Sequence, residues 1–209
     1  MAPTPESAGC SAVDRILDAA CELFSEHGFD HVSMSAVAGR AGVSKANVFH
    51  HFSSKDALYI AALRAACRTS REAIERLSQE EGSPRERIRR FAAMHLASLI
   101  DNERDARLLQ REVMERGHSD GRHLAEDVFA DGFARLVELV AEGQRCGELD
   151  DAVPPALLAT LILSANVFFF QTRDILRHLP RVDFADAPET YNKLSLDLLL
   201  GGCRPKEAS

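Results

Sequence analysis

The apolar residues of this chain recur at intervals of three and four almost from end to end, a spacing that selects helices over strands. Val13, Ile16, Leu17, Ala20, Leu23 and Phe24 form a first stripe, which Gly28 closes. Leu124, Val128, Phe129, Phe133, Leu136, Val137 and Val140 form a longer one, stopped by the Gly147-Glu148-Leu149-Asp150 turn. Pro154 and Pro155 open a very apolar helix that reaches Leu179, where Pro180 ends it, and a last helix runs from about Pro188 to Leu200. No period-two alternation of useful length occurs, so the predicted fold is all-α with about nine helices.

Capping residues sharpen the boundaries. Ser33 caps a short second helix that ends before Gly42, and Ser44 caps a third a few residues later. Ser53 and Asp56 form a Ser-x-x-Asp box that opens a long fourth helix, about Ser54 to Gln79. Ser83, Pro84 and Glu86 are N-cap, first position and third position of a fifth. A sixth carries Leu108, Leu109 and Val113 and ends near Gly117.

Residues 33 to 52 hold two short helices separated by Gly42-Val43-Ser44, the arrangement of a helix-turn-helix. Val37, Ala38, Val43 and Val48 face inward and Ala41 permits close approach. The outer face of the third helix then presents Lys45, Ala46, Asn47, Phe49 and His50. Small side chains there suit a major groove, and Asn47 is placed to reach a base edge. Ser33 and Ser44 at the helix starts, with Lys45 and Lys55, suit phosphates. The chain carries a net charge of −7, yet Ser33 to Lys55 holds Arg40, Lys45 and Lys55 and no acid. An acidic protein with one acid-free basic patch fits a DNA-binding head on an acidic body.

Composition narrows the class further. Hydrophobic residues at 45% and charged residues at 27% describe a soluble globular protein. Cys10, Cys21, Cys67, Cys146 and Cys203 are odd in number and lack C-x-x-C spacing, which argues against a disulfide framework or zinc knuckle and fits the cytoplasm. Ala156 to Phe170 is interrupted by Thr160, Ser164 and Asn166 and is shorter than a bilayer requires, so it reads as a buried helix and no membrane partner is expected. The expected division is a tail at 1–11, a helix-turn-helix domain at 12–58, a body at 59–204 and a tail at 205–209.

Arg15-Ile16-Leu17-x-Ala19-Ala20-x-x-Leu23-Phe24 with Gly28-Phe29 resembles the first helix of the tetracycline-repressor (TetR) family. Val37-Ala38-x-x-Ala41-Gly42-Val43-Ser44 and His51-Phe52-x-x-Lys55-x-x-Leu58 resemble its helix-turn-helix and the start of its fourth helix. The resemblance covers about residues 12 to 65; beyond them only the helical layout agrees. It implies a homodimeric repressor with a small-molecule effector pocket in the body. The family's usual recognition-helix tyrosine is Phe49 here, which removes a hydroxyl that would bond phosphate; His50 or His51 is the candidate replacement.

Adjacent histidines point about 100° apart on a helix, so His50 and His51 suit phosphate contact and core packing better than a shared metal. Asn166 either lines a pocket or is satisfied within the core or across a dimer. Phe168, Phe169 and Phe170 face three directions, which suits core and interface, with one of them able to see a pocket. His95 and Gln110 lie on elements that wall the family's pocket. With Leu99, Val113, Met114, Phe129, Phe133, Asn166 and Phe170 they make up the candidate ligand set. Leu157, Leu161, Ile162, Ala165, Phe169 and Leu196 make up the candidate dimer face, because so many apolar residues exceed what one small body buries. Arg85, Arg87, Arg89 and Arg90 read as a solvated face, and Cys146 beside Arg145 is the better-placed thiol for redox sensing. No nucleophile triad, phosphate loop, paired carboxylates or metal motif points to an enzyme, and no cofactor is expected. The expected function is a DNA-binding regulator on palindromic duplex DNA, a repressor released by an apolar or aromatic effector; control by a protein partner or thiol oxidation is the alternative.

Overall fold

The computed structural model describes residues 11–201, the side chains of 116–120 excepted. The expected tails, Cys10 and Cys203 therefore lie outside the described residues, apart from Ser11. Among the described residues there are ten α-helices and no strand. They are α1 Ala12–His31, α2 Met34–Ala41, α3 Lys45–His51, α4 Lys55–Ala66, α5 Arg68–Gln79, α6 Pro84–Asp101, α7 Glu103–Leu124, α8 Ala130–Arg145, α9 Pro155–Leu176 and α10 Pro188–Gly201. A π-helical turn, Ala125–Phe129, separates α7 from α8.

Most of the expected punctuation is present. Ser33, Ser44 and Ser83 each accept the backbone N–H three residues on, at 3.1, 3.1 and 3.2 Å. Gly42 ends α2 in the left-handed region, φ 66°. Four expectations need correction. α4 is capped by Ser54, not Ser53, since Ser54 Oγ accepts from the Ala57 N–H at 3.0 Å. The long fourth helix is two helices broken at Cys67. α4 buries Leu58, Tyr59, Ala62 and Leu63, while α5 buries Ala73, Ile74 and Leu77. The stripe from Leu124 to Val140 is likewise interrupted by the π-helical turn, and α7 runs past Gly117 to Leu124.

The chain forms two compact units: one of residues up to Ala66 with Arg104–Val128, the other of Cys67–Glu103 with the residues from Phe129 onward. Compactness thus groups α7 with the N-terminal helices, a different division from the boundary at residue 58. The chain passes between the units three times. Each passage falls at or beside an interruption in α-helical bonding: Cys67, Asn102 and the π-helical turn.

In the first unit α1 packs on α2 and α4, with Ile16, Ala20, Phe24, Val37, Val48, Leu58, Ala62 and Leu63 closing the core. Phe24, Phe29 and Tyr59 make edge contacts around it. α7 is held by directed polar bonds. Tyr59 Oη donates to Glu112 Oε2 at 2.7 Å, Arg111 Nη1 donates to the Ser25 carbonyl at 3.1 Å, and Arg104 pairs with Asp18 at 2.8 Å. Gly28, φ 76°, kinks α1 where the Arg111 side chain passes.

The second unit packs α5, α6, α8, α9 and α10 around Ile74, Leu77, Ile88, Phe91, Leu136, Leu139, Leu158 and Ile162. The buried Arg87 donates to the Leu77 and Ser78 carbonyls at the end of α5 and pairs with Glu142, which makes it a helix cap and not part of a solvated face. α9 spans 22 residues and is long and apolar enough to cross a membrane by length and composition, contrary to the expectation that it is too short. It is not buried all round as its sequence suggested: Leu158, Ala159, Ile162, Asn166 and Phe169 are buried, and 28% of its apolar window is buried in the protomer.

Candidate functional site

α2 and α3 pack closely because, Met34 apart, their inward positions are small or β-branched. Val37 and Val48 are fully buried, and Ala38 and Ala41 nearly so. The turn between them closes through the Val43 N–H, which donates to the Ala38 carbonyl at 3.0 Å. With Val48 inward, Ala46 and His50 stand on the opposite face of α3, Asn47 and Phe49 lie to its sides and Lys45 and His51 border Val48; all are exposed except the half-buried Asn47. The Lys45 ammonium lies 5.8 Å from the centroid of the Phe49 ring, which is 45% exposed. His50 and His51 stand edge to face with centroids 5.0 Å apart. Both are exposed, so the expectation that one of them packs in the core is corrected. Among the described residues no group of histidine, cysteine and acidic side chains is arranged to hold a metal.

Two basic residues are already engaged. Lys55 Nζ donates to the Asp30 carbonyl at 3.2 Å and sits 4.3 Å from the Phe29 ring centroid, pinning the start of α4 to the end of α1. Arg40 pairs with Glu22 of α1 at 3.1 Å. That acid lies outside the segment whose charge was counted, so the local positive charge is smaller than the segment alone carries.

The candidate ligand residues divide between the units. Gln110, Val113 and Met114 belong to the first, where Val113 and Met114 are 45% and 69% exposed. His95, Leu99, Phe129, Phe133, Asn166 and Phe170 belong to the second. Phe129 lies in the π-helical turn, and Leu99, Phe133 and Phe170 are half-buried. Asn166 is 1% exposed and fully engaged. Its Nδ2 donates to the Ala92 carbonyl at 2.8 Å and contacts His95 Nδ1 at 3.2 Å, and its Oδ1 accepts from Asn192 Nδ2 at 3.1 Å. Of the two readings left open for Asn166, this geometry is the one satisfied within the core. Burial pushes His95 down to about 4 from the usual 6.5, so its ring is neutral at pH 7.

The candidate dimer face also splits. Ile162 and Phe169 are completely buried and Leu196 nearly so, so these three cannot meet a partner. Leu157 and Leu161 are exposed and Ala165 is half-buried. Phe168 and Ile175 of α9 and Leu194 and Leu198 of α10 complete the exposed apolar surface. α9 is apolar all round, so its sequence did not reveal which stripe turns inward.

Residues 16–62 match the family profile described as bacterial regulatory proteins, tetR family, and residues 84–196 match the profile of the tetracyclin repressor-like C-terminal domain. The chain belongs to the TetR family. TetR membership makes it a helix-turn-helix transcriptional regulator. The regulator RutR of Escherichia coli is 51% identical over 49 residues, which are 23% of each chain. The chain thus matches under a quarter of RutR's length. The regulator UidR of E. coli is 30% identical over 158 residues, 71% of this chain and 74% of UidR. The transcriptional regulator FadR of Bacillus subtilis, solved in complex with stearoyl-CoA, superposes with a TM-score of 0.72 at 18% identity, covering 91% of this chain and 98% of FadR.

Several residues with clear structural work were not legible as candidates. Asn192 interrupts the Leu196–Leu200 stripe of α10 one turn earlier, and that polar residue in an apolar row was the signal available. Glu112 on α7 gave none, since its partner Tyr59 is 53 residues away.

Proposed function

We propose that this TetR-family protein is a dimeric repressor acting in the cytoplasm on palindromic duplex DNA, released by a small, largely apolar effector bound in the body. Residues 12–58 are assigned to DNA and 59–204 to effector and dimer. The observation that carries the DNA assignment is the α2–Gly42–α3 pair, whose buried valines leave Ala46 and His50 outermost on α3, with Lys45, Phe49 and His51 exposed beside them and Asn47 half-buried. Ser33, Ser44 and Lys55 are the proposed phosphate-side residues, Lys55 combining that role with its hold on α1. A DNA-reading dimer brings two recognition helices to one face of the duplex, about 34 Å apart or a simple multiple.

The dimer proposal is supported by the exposed row Leu157, Leu161, Phe168 and Ile175 on α9 with Leu194 and Leu198 on α10, a surface a soluble monomer seldom leaves open. The effector proposal is supported by the family and by FadR, which binds stearoyl-CoA in its solved structure. Gel-shift selection from random duplexes tests the whole: a two-fold symmetric site is expected, and enrichment of no inverted repeat overturns the reading.

A further inference from the structure

The three side chains His95, Asn166 and Asn192 interlock in the second unit with one consistent assignment of hydrogens. The Ala92 carbonyl can only accept, so the atom 2.8 Å from it is the Asn166 amide nitrogen. That nitrogen also faces His95 Nδ1 at 3.2 Å, which must therefore accept. A neutral imidazole that accepts at Nδ1 carries its hydrogen at Nε2. Asn192 fixes the arrangement from the other side by donating to Asn166 Oδ1. Asn166 and Asn192 are positioning residues here: they set the tautomer and the plane of the ring, and Phe91 stacks on it with centroids 5.8 Å apart.

The second ring nitrogen is left over. Among the described residues His95 Nε2 has no hydrogen-bond partner, yet it is not a sealed orphan. The one buried, unpartnered side-chain nitrogen or oxygen is Arg87 Nε, while His95 keeps 8% exposure. Phe91 and Leu99 stand one turn before and after it on α6, so its flanking positions along the helix are apolar. Arg87, two turns away, is committed to the Leu77 and Ser78 carbonyls and Glu142.

We infer that His95 is the polar anchor of the effector site, and that its Nε2–H selects an effector bearing a neutral hydrogen-bond acceptor, a ketone, ester or thioester carbonyl, on an apolar frame. This deepens, and rests on, the effector-controlled reading. A carboxylate is disfavoured, because the donor it meets is neutral and supplies no charge to offset the desolvation of an anion. A hydrocarbon is disfavoured too, because it leaves the donor unpaired.

The test uses the full-length protein labelled with ¹⁵N-histidine and three probes that share a phenylalkyl frame: 4-phenylbutan-2-one, 3-phenylpropanoate and butylbenzene. Long-range ¹H–¹⁵N spectra are expected to show His95 as the neutral Nε2–H tautomer, and the ketone to move its Nε2 resonance. The ketone should bind His95→Phe about two- to tenfold more weakly than wild type, the loss of one neutral hydrogen bond, with butylbenzene unchanged. An Nδ1–H tautomer, an unmoved Nε2 resonance at the ketone's solubility limit, equal ketone binding by His95→Phe, or tighter binding of the carboxylate overturns the inference. If His95→Phe does not fold, the wild-type spectra decide alone. Operator selection on the same preparation keeps the two readings apart. A selective DNA binder whose His95 ignores the ketone loses this inference only. A protein that reads no DNA yet shows the His95 shift loses the regulator reading only.

Discussion

Acidification should destabilise this protein through His95 by an amount the structure sets. The ring is buried, and desolvation holds its protonation at about 4 in the folded chain against 6.5 when exposed. The unfolded chain therefore binds a proton in a window where the folded chain does not, and stability rises with pH across it. The contribution is fully present above 6.5, shrinks as pH falls, and is exhausted near 4. At 1.4 kcal/mol per pH unit the whole span is about 3 kcal/mol, of which about 2 is lost by about pH 5, before most carboxylates titrate. Urea unfolding at about pH 7 and pH 5, for wild type and His95→Phe, isolates the effect as a difference of differences. The phenylalanine variant should lose about 2 kcal/mol less than wild type on moving to the lower pH. Parallel losses in the two proteins would mean that His95 is hydrated or charged in the native state, and the buried-network argument would fall with it.

Three further outcomes are expected. Asn166→Leu orphans His95 Nδ1 and the Asn192 amide inside the core and should cost about 2–5 kcal/mol in urea unfolding; a cost below about 1 kcal/mol would refute the network. Phe168→Glu with Leu161→Glu should yield soluble monomers by light scattering, whereas Phe169→Glu should unfold the protomer; dimers from the first pair would refute the proposed α9 face. Lys45→Ala should flatten the salt dependence of DNA binding by about one unit of log slope with stability unchanged, while Lys55→Ala should also lower the melting temperature; equal stability of the two variants would contradict the Phe29 and Asp30 contacts.

What the sequence disclosed and what it concealed divide by range. Ser33, Gly42, Ser44 and Ser83 act on backbone within three or four residues, so their roles follow from local spacing and stand as expected. The inward valines of α2 and α3 are equally local. The His95–Asn166 contact spans 71 positions and depends on how two crossing helices are rotated, which no single helix encodes. The same limit explains the mixed dimer set, since a helix apolar on every side carries no phase. It also explains Lys55, whose cationic head suggested phosphate while its closest neighbours are a ring and a carbonyl of α1.

The first unit is discontinuous in the chain, and this bears on how the protein is born. Every proposed DNA contact has been synthesised by Lys55, yet Tyr59, Ser25 and Asp18 receive their α7 partners only when Glu112, Arg111 and Arg104 follow. A nascent chain stalled after Ala66 holds α3, the proposed recognition helix, without the α7 side chains that tie to α1 and α4.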